Sequence, residues 1–459
     1  MKKTFQFVDG SGAKVDKVTR KSIRSHVMKD RNAGKTVHRR SRLELPTPCD
    51  DSRKEARKSN EEDSGPVARN LGNVLRTFPF PVELSESSLK SIDQFFIFIT
   101  EKMYPSQLGL SSDGYKHDWL VTTFIDADAA YCSLALMAST NAFFSSGGIS
   151  SSKALSYLSN TFSLVQRRMQ GEEALSDSTL CMVMMLILQE QIRHEKASRI
   201  HYEGLRKLIE LRGGLSRLKS CSTLLLKMSK MDILYALRYG EPVLFYRDRM
   251  SEIRSMLPSI EINYSPGATS GQHQYDGINT DLRDILVDVM SIAALFNSPP
   301  SRRNLDIKTF LEIVISICCR LIRFRPLQSP KPECRREAAY HIGLITFMTT
   351  LFLQWDNRRI QGYHLISRRL REVLDEEFDA RDDDNLLLWL LFVASLWFKT
   401  TSVSYWLVLR IRRLAVRFQI DSWSRVCDSI CQFPWINILH DQTGRAVWDL
   451  VYQGPPDGH

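Results

Sequence analysis

The stretch GLRKLIELRGGL, residues 204–215, runs a basic, leucine-rich segment into two glycines. Leu205, Leu208, Ile209 and Arg212 fall at i, i+3, i+4 and i+7, the spacing of one face of an α-helix. Gly213 and Gly214 follow directly, where a left-handed C-terminal cap needs a residue without a Cβ. Leu215 falls where a Schellman-type cap sets its apolar contact, back on the last turn. A phosphate-cradling loop would instead need glycines spaced GxxxxGK or GxGxxG after a strand, and neither pattern is present. The glycines end a helix.

The same period extends over most of the chain. LKSIDQFFIFITEKMY (89–104) carries apolar residues at 92, 95, 96, 99 and 103, and ALSYLSNTFSLVQRRM (154–169) at 155, 158, 162 and 165. LCMVMMLILQEQI (180–192) is apolar almost all round and belongs at the centre. Further helices are expected near 222–238, 281–296, 305–323, 334–355, 363–375, 384–399, 403–418 and 422–431. No run alternates with the period of a strand between hairpin turns. The expected fold is all-α. The turn-rich YSPGATSGQHQYDG (264–277) marks a possible seam between two helical halves.

Composition narrows the class. At 43% hydrophobic and 25% charged residues the chain is an ordinary globular protein. Its net charge of +10 is confined to one end: residues 1–58 hold 17 Lys and Arg against 7 Asp and Glu, and the remainder holds 45 of each. Such an arm seeks anionic partners, whether nucleic acid, acidic proteins or an import receptor. Within residues 1–31, VTRKSIRSHVMKD reads as a short basic helix carrying Arg20, Lys21, Arg24 and Lys29 beside a narrow Ile23–Val27 stripe. Residues 32–75 read as a disordered basic linker. Its segment KTVHRRSR holds Lys35, Arg39, Arg40 and Arg42, and three readings stay open: a nuclear import signal, a phosphate-contacting arm, or a solubilising linker. Residues 76–459 form the helical body.

The nine cysteines have an odd count and no regular spacing, which argues against a disulfide framework and for a reducing compartment. MKKTFQFVDG turns polar before an apolar core forms, so no signal peptide is expected. The longest apolar run, LLLWLLFVASLWF (386–398), stops at Lys399, too short to span a bilayer. No membrane role is expected.

Candidate chemistry is sparse. The acidic run DEEFDARDDDN (375–385) could chelate a divalent cation, but no second acidic triplet accompanies it, and helix capping ahead of residue 386 is the simpler reading. His194 and His201 stand seven apart, not the four of a zinc-protease helix, and read as an exposed helix end. Cys318 and Cys319 lie inside an apolar helix, as core residues do. No catalytic, cofactor-binding or metal-ligating residue is assigned, and no cofactor is expected.

His201, Gly204, Leu205, Leu208, Ile209, Arg212, Gly213, Gly214, Leu215 and Leu218 together resemble a signature of the fungal-specific transcription factor domain family. TRKSIRSHVMKDRNAGK resembles the opening of a subgroup without a zinc binuclear cluster. NLLLWLLFVAS and the tail DSICQFPWINILHDQTGRAVWDLV, with Trp435 and Trp448, are similar to the family's late helices. The resemblance implies an all-α regulatory domain, a nuclear location, and control of transcription, often at secondary-metabolite gene clusters. DNA, contacted directly or through a partner transcription factor, and a protein partner or homodimer through the body are the implied partners. The family's zinc module needs six cysteines near the N-terminus, whereas Cys49 is the only cysteine before position 132. Two other readings stand beside this one: an all-α isoprenoid-type enzyme, and a degenerate scaffold that does not touch DNA.

Overall fold

The computed structural model describes residues 75, 77–98, 104–145, 152–193, 195–218, 222–256, 278–299, 305–330, 334–353, 363–375, 384–398 and 405–453. All of them belong to the unit spanning residues 68–459. The basic helix, the KTVHRRSR cluster and the 264–277 segment lie outside the described residues.

Among the described residues the architecture is all-α. The first group is α1 (Glu86–Phe98), α2 (Asp113–Thr123), α3 (Ala127–Ser145), α4 (Ser152–Met169), α5 (Asp177–Arg193) and α6 (Glu195–Leu211). Next come α7 (Ser222–Tyr239), α8 (Met250–Met256), α9 (Thr280–Asn297) and α10 (Ile307–Phe324). The last group is α11 (Arg335–Phe352), α12 (His364–Leu374), α13 (Asp384–Trp397), α14 (Tyr405–Arg417), α15 (Trp423–Ile430) and α16 (Asn437–Gln453). No strand forms among them, and β pairing is limited to an isolated Ser111–Asp306 bridge.

Short polar side chains start these helices by accepting otherwise unpaired N–H groups of the first turn, worth about 1 kcal/mol each. Ser85 accepts from Ser88 N–H ahead of α1 (3.2 Å), Asp126 from Ala129 N–H ahead of α3 (2.9 Å), and Ser176 from Thr179 N–H ahead of α5 (3.1 Å). Asn279 and Asp306 cap α9 and α10 in the same way.

One hydrophobic core runs from Leu75 to Val451. Helix α5 packs against α3, α4 and α6, and every side chain from Leu180 to Ile187 is buried, as its all-round apolar sequence requires. Helix α10 packs on α7, α8, α9 and α11 in the middle of the body. Helix α13 is the hub of the last group, touching α11, α12, α14, α15 and α16. Its Leu388–Ala394 segment is wholly buried. No helix among the described residues is long and apolar enough to cross a membrane. Cys318 and Cys319 are buried in α10, where burial pushes the Cys319 thiol up to about 12.

Helix α4 differs in detail from its sequence reading. Leu158 and Val165 face inward, but Leu155 and Phe162 are exposed. The inward face is centred on Thr161, fully buried, whose Oγ1 accepts from the Gln189 amide at 3.1 Å. The apolar stripe thus straddles the edge of the buried face, because a polar pair from α4 and α5 occupies its centre.

Candidate functional site

The motif around residue 204 is carried by α6 and the turn after it. Inward-facing Leu205, Leu208 and Ile209 are buried against α5 and the core. Gly213 and Gly214 have φ of 100° and 86°. Gly213 N–H donates to Glu210 O (3.0 Å) and Gly214 N–H to Ile209 O (2.9 Å), the paired bonds of a Schellman cap. Leu215 is half-buried and opens a 3-10 turn that seats Leu218, fully buried, in the core.

Arg212 adds a link that periodicity alone does not reveal. Its guanidinium pairs with Asp177 in the first turn of α5. Positive charge at the end of α6 and negative charge at the start of α5 each match the adjoining helix dipole. The cap closes the end of α6, and the ion pair ties that end to the start of α5.

Toward α7 the motif helix presents polar groups, which its leucine pattern hides. Ser198 Oγ donates to Ile187 O (3.0 Å) and lies 2.5 Å from the Tyr235 hydroxyl. Tyr202 OH donates to Asp232 Oδ1 at 2.5 Å, and Asp232 Oδ2 accepts from Phe245 N–H at 2.6 Å. Burial raises the Asp232 carboxyl, opposed by these donors; burial, then the Asp232 charge, raises the Tyr202 hydroxyl, which stays a donor at neutral pH. HEKASRIH opens α6, with His194 outside the described residues; Lys196 and Ile200 are exposed, but Ser198 is fully buried and His201 half-buried, its ring edge-on to Phe162 at 6.2 Å. Burial holds the His201 imidazole below its ordinary pKa. Ser198 and Tyr202, at i and i+4 within an otherwise apolar stripe, were the available sequence signal.

Beside this seam lies a cavity of about 320 Å³ lined by Arg199, Tyr202, Arg206, Asp232, Tyr235 and Glu241. Both guanidiniums are already engaged. Arg199 pairs with Glu241 at 2.6 Å and lies over the Tyr239 ring at 4.1 Å, while Arg206 pairs with Glu210 at 2.8 Å and Glu203 at 3.2 Å. The arrangement braces α6 against α7. It does not assemble a nucleophile with a base. Gly204 faces open space, and nothing in the structure explains a glycine there.

The remaining sequence candidates fall elsewhere. Arg20, Lys21, Arg24, Lys29, Lys35, Arg39, Arg40 and Arg42 lie outside the described residues, as do residues 376–383 of the acidic run. Asp384 is the first residue of α13 and is buried, its carboxylate 3.0 Å from Arg417 of α14. Asp375 is exposed, 4.0 Å from Arg410. Among the described residues no group of three or more His, Cys, Asp or Glu side chains could hold a metal ion. Trp435 and Trp448 of the tail are buried, and the Trp435 indole N–H donates to Asp441 at 2.8 Å.

The pattern of the family described as fungal specific transcription factor domain matches residues 94–422, from α1 through the end of α14. No curated protein and no solved structure matches the chain. With most of its length covered, and with the helix cap, ion pair and buried stripe of the motif all formed, the chain belongs to the fungal-specific transcription factor domain family.

Proposed function

We propose that this chain regulates transcription from the nucleus, with the helical body as its regulatory part and residues 1–58 as an anion-seeking arm. The family match carries the reading. The charge distribution supports it, because the full excess of ten positive charges precedes residue 59 and the rest of the chain is balanced. Without the cysteines of a zinc cluster, the arm contacts DNA through phosphates, or the protein reaches promoters through a partner transcription factor. The cluster Lys35, Arg39, Arg40 and Arg42 serves import. The promoters regulated belong to a secondary-metabolite gene cluster, and the body offers helical surfaces to a protein partner or a second copy. The family is one of transcription factors and not of enzymes, and the buried Asp384 is held by Arg417, which favours this reading over an isoprenoid-type synthase.

Chromatin immunoprecipitation of the tagged protein tests this directly. Enrichment at a restricted set of promoters is expected, and a flat profile across the genome would sink the proposal. Fluorescence anisotropy with two unrelated duplexes then separates the two routes to DNA. Phosphate contact by the arm gives roughly micromolar or weaker binding that falls steeply with salt, is equal for both sequences, and disappears on deleting residues 1–58. No binding at any salt assigns DNA contact to a partner.

A further inference from the structure

We infer that a groove between α1, α3 and α4 is a binding site for a small, uncharged, amphipathic molecule. The groove encloses about 770 Å³, within the range of roughly 300–1,000 Å³ typical of small-molecule sites. Its floor is one face of α3, where Leu134, Ala135, Ala138 and Ala142 succeed one another at helical spacing, and α1 and α4 form the walls. The volume exists because the floor residues are small: α3 packs against α1 on one side and α4 on the other, and alanine leaves the space between them unfilled.

The lining fixes the chemistry of the occupant. None of the lining residues is charged; the walls are serine, asparagine, glutamine, threonine and tyrosine, above an apolar floor. A charged ligand would lose its hydration there with no counter-charge in return. A fully apolar one would strip water from wall hydroxyls and amides that it cannot satisfy. A neutral molecule with an apolar face and a polar edge meets neither penalty.

Asn141 ties the floor of the groove to one wall. It lines the groove yet is only 9% exposed. Its Nδ2 donates to Ser91 O at 2.8 Å and lies 3.2 Å from Ser91 Oγ, which fixes the amide plane between α3 and α1. Its Oδ1 is buried and has no hydrogen-bond partner. That oxygen is closed off from the groove, so an occupant meets the wall hydroxyls and the apolar floor. The site is independent of the proposed role in transcription, because it rests on the body alone.

The test uses the full chain and two coumarins of nearly the same shape. 7-Amino-4-methylcoumarin is neutral at pH 7, planar, fluorescent and a hydrogen-bond donor; 7-amino-4-methylcoumarin-3-acetic acid adds a carboxylate. The neutral probe is expected to bind saturably at roughly 0.1 mM, with the acid at least about tenfold weaker. Ala138→Trp, which fills the groove from its floor, should weaken the neutral probe by about tenfold or more while the melting temperature is kept. Should Ala138→Trp fail to fold, the charged probe decides. The inference is overturned if the wild type shows no saturable binding up to about 1 mM, if Ala138→Trp binds like wild type, or if the acid binds as tightly as the neutral coumarin.

Discussion

Small residues line helix faces in two parts of this molecule, with opposite results. On α3, Ala135, Ala138 and Ala142 face a groove of about 770 Å³. On α11, Gly343 faces the Trp389 indole so closely that a Cβ would lie 2.5 Å from Cζ3 and 2.7 Å from Cη2. On α16, a Cβ at Gly444 would lie 2.5 Å from Trp423 Cη2 and 3.1 Å from Trp435 Cζ2. The difference lies in what stands opposite. Helix α13 delivers a fully buried Trp389, stacked on Phe433 at 5.3 Å and donating its N–H to Pro434 O at 2.9 Å. Helices α1 and α4 offer serines, Gln94, Asn160 and Thr161 instead. A small-residue face is thus a place where something large can come near. The partner element decides whether that something is a side chain of the same fold.

The comparison is broken most sharply at Gly343. Gly343→Val should destabilise the protein by about 3 kcal/mol, the upper end of the overpacking penalty. Helix propensity works in the other direction and returns less than about 1 kcal/mol, since valine is only modestly better than glycine. The indole cannot give way, because its stack and its hydrogen bond hold it from two sides. Urea denaturation measures the loss. A variant as stable as wild type would mean that Trp389 does not occupy the space above Gly343.

This contrast also marks where the sequence could be read. Helices α7 and α9 through α15 begin and end within three residues of their expected positions, because large apolar side chains repeat along them with the helical period. Helices α2 and α3 had no such signal. In α3, ADAAYCSLALMASTNAFFS, small residues are buried on the side of α5 and line the groove on the other, so hydrophobicity hardly varies around the axis. The groove was illegible for the same reason, since its floor is alanine and its walls are polar side chains typical of any exposed surface. The Gly213–Gly214 cap lay at the other extreme, being fully local. The Ser198–Tyr235 and Tyr202–Asp232 contacts were hidden because they join residues 37 and 30 positions apart.

A smaller effect is expected at that local cap. A Cβ at Gly213 would meet only the Arg217 side chain, Cγ at 3.5 Å and Nε at 3.8 Å, so Gly213→Val differs from Gly343→Val in having no steric clash across the fold. What it meets is the backbone: φ of 100° is a region that β-branched residues avoid. The expected loss is roughly 1–3 kcal/mol. Gly213→Asn should lose less, because asparagine tolerates positive φ better than other non-glycine residues. Equal loss from both substitutions would place the cost in packing and not in backbone conformation.

The smallest effect should come from the groove floor, and it is the most informative about the comparison. Ala138→Leu adds three carbons to a half-buried position, as many as the Cβ and two methyl groups added by Gly343→Val at its site. If the groove is open, those carbons enter free volume, and leucine costs little against alanine in helix propensity. Stability should then stay within about 0.5 kcal/mol of wild type, as for substitutions away from packed features. The slope of the urea transition should not change either, since neither the folded nor the unfolded surface is much altered. A loss above about 1.5 kcal/mol would show that the α3 face is closed in solution and packed like the Gly343 notch. The alanines would then be core residues of an ordinary helix contact, and the two faces would differ in composition only.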